Sequence, residues 1–144
     1  MVKLNFSKIF HFRFKKSDTD KVLIFDSVRK KWLVLTPEEW VRQHWVHNLI
    51  EAHQINPSSI VVEAGLDVYN TKKRSDIVVY KNGSPEILIE CKRPNVPIDQ
   101  KVLNQAINYN SNYQCQNVII SNGLEHYYFK KQGKELVQQL KLEL

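Results

Sequence analysis

The stretch "KKRSDIVVYKNGSPEILIECKRP", residues 72–94, decides the fold. Its two apolar runs, "DIVVY" and "EILIECK", flank Asn82-Gly83, a pair that favours the tight turn of a β-hairpin. The pattern predicts strands over 76–80 and 86–92. Three charged residues, Asp76, Glu90 and Lys92, sit inside this apolar segment, where an unpaired charge is costly to desolvate. Side chains alternate along a strand, so Glu86, Leu88, Glu90 and Lys92 share one face, and Ile87, Ile89 and Cys91 the other. In a hairpin the start of one strand lies beside the end of the next. Asp76 is therefore expected to converge with Glu90 and Lys92.

Working outward, Thr36-Pro37-Glu38-Glu39 carries a capping residue, a proline at the first helical position and acids in the first turn. A helix is expected from there to about Gln54, with Val41, Trp45, Leu49 and Ala52 as its apolar stripe and Glu38 leading that stripe. A strand is expected over 60–69, a second helix over about 98–113, and further strands over 117–121 and 124–131 around Asn122-Gly123. "GKELVQQLKLEL" reads as a short terminal helix. Before the first helix, "KIFHFRFKK" and "KVLIFDSVRKKWLVLT" suggest a small antiparallel sheet. The order of elements argues for an α/β or α+β sheet flanked by helices. One domain over 1–144 is expected, with a basic β extension (1–36), a core (37–131) and a C-terminal helix (132–144).

The chain has 144 residues, of which 42% are hydrophobic, enough to bury a real core. Cys91 and Cys115 have neither the spacing of a zinc site nor that of a disulfide framework, which fits a reducing, cytoplasmic setting. No apolar run approaches membrane-spanning length. The net charge of +6 is unevenly placed: residues 1–36 hold nine Lys/Arg against three Asp, and residues 37–144 hold twelve of each sign. This basic region, with Phe6, Phe10, Phe12 and Phe14 interleaved, suits either a phosphate backbone or a half-buried strand with a solvated face. Charge alone favours the second.

A cluster of Asp76, Glu90 and Lys92 suits a particular chemistry. Mg²⁺ is a hard cation usually held by one or two carboxylates, with waters and substrate phosphate completing its shell. Asp76 and Glu90 would be those carboxylates, and Lys92 would orient the attacking water and stabilise developing charge. Glu90 and Lys92 would equally serve as a rim salt bridge.

"RSDIVVY" and "ILIECK" resemble the PD-(D/E)XK nuclease superfamily. More narrowly, "IFDSVRKKWLVLTPEEWVRQ", "ECKRPNVPI", "QAINYN" and "SNG" resemble the N-terminal nuclease domain of type I restriction-enzyme restriction subunits, in a short stand-alone form. That resemblance implies a restriction-endonuclease-like core, a central mixed sheet flanked by helices with the N-terminal antiparallel extension, and a Mg²⁺-dependent deoxyribonuclease in which Mn²⁺ substitutes. It implies metal ligation by Asp76, Glu90 and the main-chain carbonyl of Cys91, with Lys92 assisting the water. Gln105 and Tyr109 match its Gln-x-x-x-Tyr element, four apart on one helical face. The helical stripe Ile98, Val102, Gln105, Tyr109, Tyr113 puts Gln105 where an apolar residue is expected, so that it needs a partner. A first-helix acid is implied too, with Glu38 preferred to Glu39. Lys72, Arg74 and Arg93 flank the site as candidate phosphate contacts. Ser75 stands where the superfamily's first motif has proline.

The chain has no "GxxxxGK[ST]" and is too short for a translocase, so any motor or specificity subunit would act in trans. Two other functions stay open. One is a non-catalytic nucleic-acid-binding or assembly module that uses the basic sheet. The other is a junction-resolving nuclease acting as a homodimer, because one small site cuts one strand.

Overall fold

The computed structural model describes residues 1–62, 65–68, 71–74 and 76–144, with side chains for 1–62 and 76–144. An N-terminal antiparallel sheet of β1 (Phe14–Lys16), β2 (Val22–Asp26) and β3 (Lys31–Val34) leads into α1 (Pro37–Glu51). The Thr36 side chain caps α1 by accepting from the Glu39 N–H at 3.0 Å, as the sequence predicts.

The main sheet contains β4 (Ile60–Val62), β7 (Ile77–Lys81), β8 (Ser84–Cys91), β9 (Asn117–Ser121), β10 (His126–Gln132) and β11 (Glu135–Gln139). Its strand order is β11-β10-β9-β8-β7-β4. All neighbours are antiparallel except β8 and β9, which run parallel because α2 (Gln100–Asn110) carries the chain across between them. A separate hairpin pairs β5 (Gly65–Val68) with β6 (Thr71–Arg74).

Alternation along the strands builds two cores. Ile77, Val79, Ile87, Ile89, Cys91 and Ile119 pack with Val41, Trp45, Val46 and Leu49 of α1. Val78, Leu88, Val118, Ile120 and Phe129 pack on the opposite face with Ala106 of α2. A sheet buried on both faces explains why β7 and β8 read as nearly continuous apolar runs. Complete burial of each such side chain contributes roughly 1.5–3 kcal/mol, so both helices are held mainly by their sheet faces. The Asn82-Gly83 turn takes positive φ at both residues (52° and 78°), the geometry that suits a two-residue hairpin loop.

Several expectations are corrected. The C-terminal segment is not a helix: Gly133 (φ 65°) turns the chain back and β11 pairs with β10, with Leu136 packed onto the α2-side core. Alternation outweighs helix propensity there because a sheet edge is available to pair. The strand expected over 60–69 is two strands in different sheets, β4 (Ile60–Val62) in the main sheet and β5 (Gly65–Val68) in the separate hairpin, while residues 63, 64 and 69 lie outside the described residues. Ala52 caps the C-terminus of α1 and is exposed, so the buried stripe ends at Leu49.

Residues 8–13 form no ladder. Instead Phe6, Phe10 and Phe12 lie against His44 of α1 at ring separations of 5.4, 5.9 and 4.8 Å, and the strap is tied by Asn5 N–H to Gly123 O (2.7 Å) and Trp40 Nε1–H to Val2 O (2.9 Å). His44 bonds the Trp40 carbonyl at 2.8 Å and His47 pairs with Glu51 at 3.1 Å, as satisfied polar residues.

Candidate active site

The hairpin register sets Ile77 opposite Ile89, so Asp76, just before β7, falls beside the end of β8. Its Oδ2 accepts the Cys91 backbone N–H at 2.8 Å, and Oδ1 accepts Nη2 (2.6 Å) and Nε (3.2 Å) of Arg42. Asp76 is buried at 6% exposure, which explains its need for a cation. Burial raises the Asp76 carboxyl, and Arg42 and the Cys91 amide pull against that rise.

Glu90 and Lys92 share the same β8 face, with Lys92 Nζ 3.8 Å from Glu90 Oε1. The Glu90 side chain is 19% exposed and, among the described residues, accepts no hydrogen bond. Its carboxyl is pushed up to about 8 by burial first and by the charge of Asp76 second; Glu38 adds to the rise, and Lys92 and Arg42 oppose it. The hairpin register brings Asp76 and Glu90 to neighbouring strand positions, and Lys92 lies beside Glu90; Glu38 reaches the same region from α1 through its bond to Arg42, which also holds Asp76.

Arg42 is the hub. It also donates to Glu38 (2.8 Å) and Glu39 (2.8 Å), while Arg29 joins Glu39 (3.1 Å) to Asp26. Gln43 donates to Asp26 (3.0 Å) and Glu39 (3.1 Å). Burial raises the Asp26 carboxyl, but bonds and charge from Arg29, with the Gln43 amide, more than offset this and hold it below its ordinary range. The two first-helix acids thus differ in kind: Glu39 is buried between two arginines, and Glu38 is half-exposed at the mouth, within reach of the Asp76 and Glu90 charges.

Sequence reading missed Asp26, Arg29, Arg42 and Gln43. A signal was present in "PEEWVRQ", because Glu38–Arg42, Glu39–Arg42 and Glu39–Gln43 are spaced three or four apart, the separation at which helical side chains meet.

Other predicted site residues lie apart from this cluster. Gln105 is exposed and makes no hydrogen bond among the described residues; the buried stripe of α2 runs through Ala106, so no buried partner is required. Tyr109 is half-buried against the α2-side core, 5.8 Å from the Tyr113 ring. Arg93 is exposed and lines a cavity of about 270 Å³ with Pro37, Trp40 and Pro94. Ser75 and the side chains of Lys72 and Arg74 lie outside the described residues. Cys91 faces the α1-side core, and burial raises its thiol well above its ordinary range.

The donor set fits a hard divalent cation. Among the described residues Asp76 Oδ2 takes one hydrogen bond and the Glu90 carboxylate none, and both suit oxygen-seeking metals. With all groups ionised, the carboxylates of Asp26, Glu38, Glu39, Asp76 and Glu90 exceed the cations of Arg29, Arg42 and Lys92 by two charges. Among the described residues, no three His, Cys, Asp or Glu side chains gather around one point, so any ion here would lean on main-chain oxygen and water. No helix among the described residues is long and apolar enough to cross a membrane.

No curated protein and no solved structure matches the chain. The family described as Type I restriction enzyme R protein N terminus matches residues 37–142, from the first residue of α1 through β11, and includes the Asp76, Glu90, Lys92 cluster. The chain therefore belongs to the type I restriction enzyme R protein N-terminal family and is a restriction-enzyme-related domain.

Proposed function

We propose that the chain is a divalent-metal-dependent deoxyribonuclease of the PD-(D/E)XK type, cleaving phosphodiester bonds to leave a 5′ phosphate. The observation that carries this reading is the meeting of a desolvated carboxylate, Glu90, with Asp76 and Lys92 at adjoining strand ends, in a chain of restriction-enzyme family. Asp76, Glu90 and the Cys91 carbonyl would hold Mg²⁺ or Mn²⁺, which when bound supplies Lewis-acid polarisation of the phosphoryl group.

The remaining work falls to the protein. Lys92, with 31% of its side chain exposed, directs its ammonium toward the attacking water and the negative charge growing on the phosphoryl oxygens. Glu38, half-exposed at the mouth, accepts a proton from that water. The bond from phosphorus to the 3′ oxygen breaks, and that oxygen takes up a proton. Arg42 and the Cys91 amide fix the Asp76 rotamer, which keeps the acid in place before substrate arrives. Arg93 on one side, with Gln105 and Tyr109 on α2, contacts the DNA flanking the cut. Motor and specificity subunits would be its working partners, as suits a domain of the type I restriction enzyme family.

Supercoiled plasmid incubated with protein and Mg²⁺ or Mn²⁺ tests the reading. Wild type is expected to nick it, and Lys92→Ala and Glu90→Gln to lose roughly a hundredfold or more of the rate. Nicking that survives both substitutions rejects the assignment.

A second reading draws on Arg42, which already neutralises Asp76 at 2.6 Å, as would suit a fold kept for DNA binding after catalysis is lost. DNA binding without any uptake of Mg²⁺ or Mn²⁺ in calorimetry would favour it.

A further inference from the structure

We propose that the outer face of the β1–β2–β3 sheet is a docking surface for the phosphate backbone of duplex DNA. Period-two alternation and the ladder register place Arg13, Lys15, Leu23, Phe25, Trp32 and Val34 on one face. The opposite face carries Ile24 and Asp26, both fully buried. Phe25 and Trp32 are paired across the ladder with rings 5.2 Å apart. The Arg13 guanidinium sits 4.6 Å from the Phe25 ring centre and 5.4 Å from that of Trp32, and the Lys15 ammonium 4.4 Å from that of Trp32.

Rings that hold cations in this way serve as a platform, which fixes positive charge at the surface and leaves the outward donors free. A fixed array of cations suits a fixed array of phosphates, whereas bases seeking a stacking surface would find both rings already covered. Exposed Lys21, Lys30 and Lys31 extend the positive field, and none of them has an acidic partner among the described residues.

The charge balance points the same way. Residues 37–144 carry equal numbers of acidic and basic side chains, so the whole excess of +6 lies before the family-matched span, which begins at residue 37. The sheet is also rigidly placed, because Asp26 at the end of β2 is joined through Arg29 to Glu39 of α1, one residue from Glu38 at the site mouth. Duplex held on this face would lie at a set distance from Asp76 and Glu90. The docking surface thus rests on the nuclease reading for its purpose, but not for its chemistry.

The test is fluorescence anisotropy with labelled duplex and the matching single strand over a series of salt concentrations, in EDTA so that cleavage plays no part. Arg13→Ala/Lys15→Ala is compared with wild type and with Lys81→Ala/Lys134→Ala, which removes the same charge from exposed sites elsewhere. The sheet variant is expected to bind duplex about tenfold more weakly, with the slope of log K against log salt reduced by about two, while the control stays near wild type. Equal weakening in both variants would show a net-charge effect and overturn the proposal. So would tighter binding of the single strand, or loss of self-association without any change in the salt slope. If binding behaves as expected and plasmid nicking fails, the nuclease reading falls alone. If nicking persists and the sheet variant binds as wild type does, this inference falls alone.

Discussion

Arg42 reaches across 34 positions of sequence to hold Asp76 through two nitrogens, at 2.6 and 3.2 Å, inside a setting where both side chains are under a tenth exposed. This pair joins α1 to the β7–β8 hairpin, so stability and site geometry depend on the same contact. Removing one partner of a buried pair costs more than the pair's net worth, because the survivor is left charged and dry.

Arg42→Ala is therefore expected to destabilise the fold by about 3–5 kcal/mol. Asp76→Asn should cost less, about 1–2 kcal/mol, because its amide oxygen can still accept the Cys91 N–H and Arg42 keeps Glu38 and Glu39. Urea denaturation followed by circular dichroism measures both; equal losses would show that the ion pair is not the main bond at this junction.

Glu90 makes stability depend on pH with a defined sign. Its folded-state pKa, about 8, lies above the ordinary 4.5, so between those values the folded protein holds a proton that the unfolded chain has released. Stability from this group is complete below about pH 4.5 and is lost as pH rises through about 8. The loss is on the order of a few kcal/mol, since each unit is worth about 1.4. Glu90→Gln should remove it, so that the variant melts progressively higher than wild type from pH 5 to pH 9. A melting difference that stays flat across that range would contradict the burial of this carboxyl.

Much of this was legible in the sequence because it depends on local pattern. Asn82-Gly83 and the alternation around it mark the hairpin, but a one-residue shift of register between Val79 and Tyr80 is what sets Asp76 level with Glu90, and no local pattern records that shift. The Thr36 cap fixes the start of α1 and so the phase of Glu38 and Glu39. The buried network was not legible as a whole, because Asp26 and Arg29 meet Glu39 only once the N-terminal sheet docks on α1, and no periodicity records that docking. The terminal strand escaped for a related reason. "GKELVQQLKLEL" is helix-compatible in isolation, and only the free edge of β10 selects its extended form.

Gly123, in the "SNG" element, has φ 85°, and a Cβ there would lie 2.8 Å from Leu4 Cδ2 and 3.0 Å from Val41 Cγ2. Gly123→Ala should cost about 1–3 kcal/mol through strain and overpacking. Gly83→Ala, at φ 78° with nothing within 4 Å, should cost only the backbone term, about 1 kcal/mol. Thermal melts that reverse this order would place the N-terminal strap elsewhere.

Both cysteines are buried, and burial raises Cys115 to about 12 and Cys91 well above its ordinary range. Neither thiol should react with Ellman's reagent at pH 8 until the protein unfolds, after which two equivalents should appear. Prompt reaction of one thiol in the native state would show an open path to it.

The central claim is that Asp76 and Glu90 together can hold a divalent ion, and calorimetric titration of Mn²⁺ into wild type and Glu90→Gln addresses it directly. The account predicts saturable uptake by wild type and at least tenfold weaker uptake by the variant, which leaves the Arg42–Asp76 pair intact. Identical titrations for the two proteins, or no uptake by wild type at millimolar Mn²⁺, would contradict it.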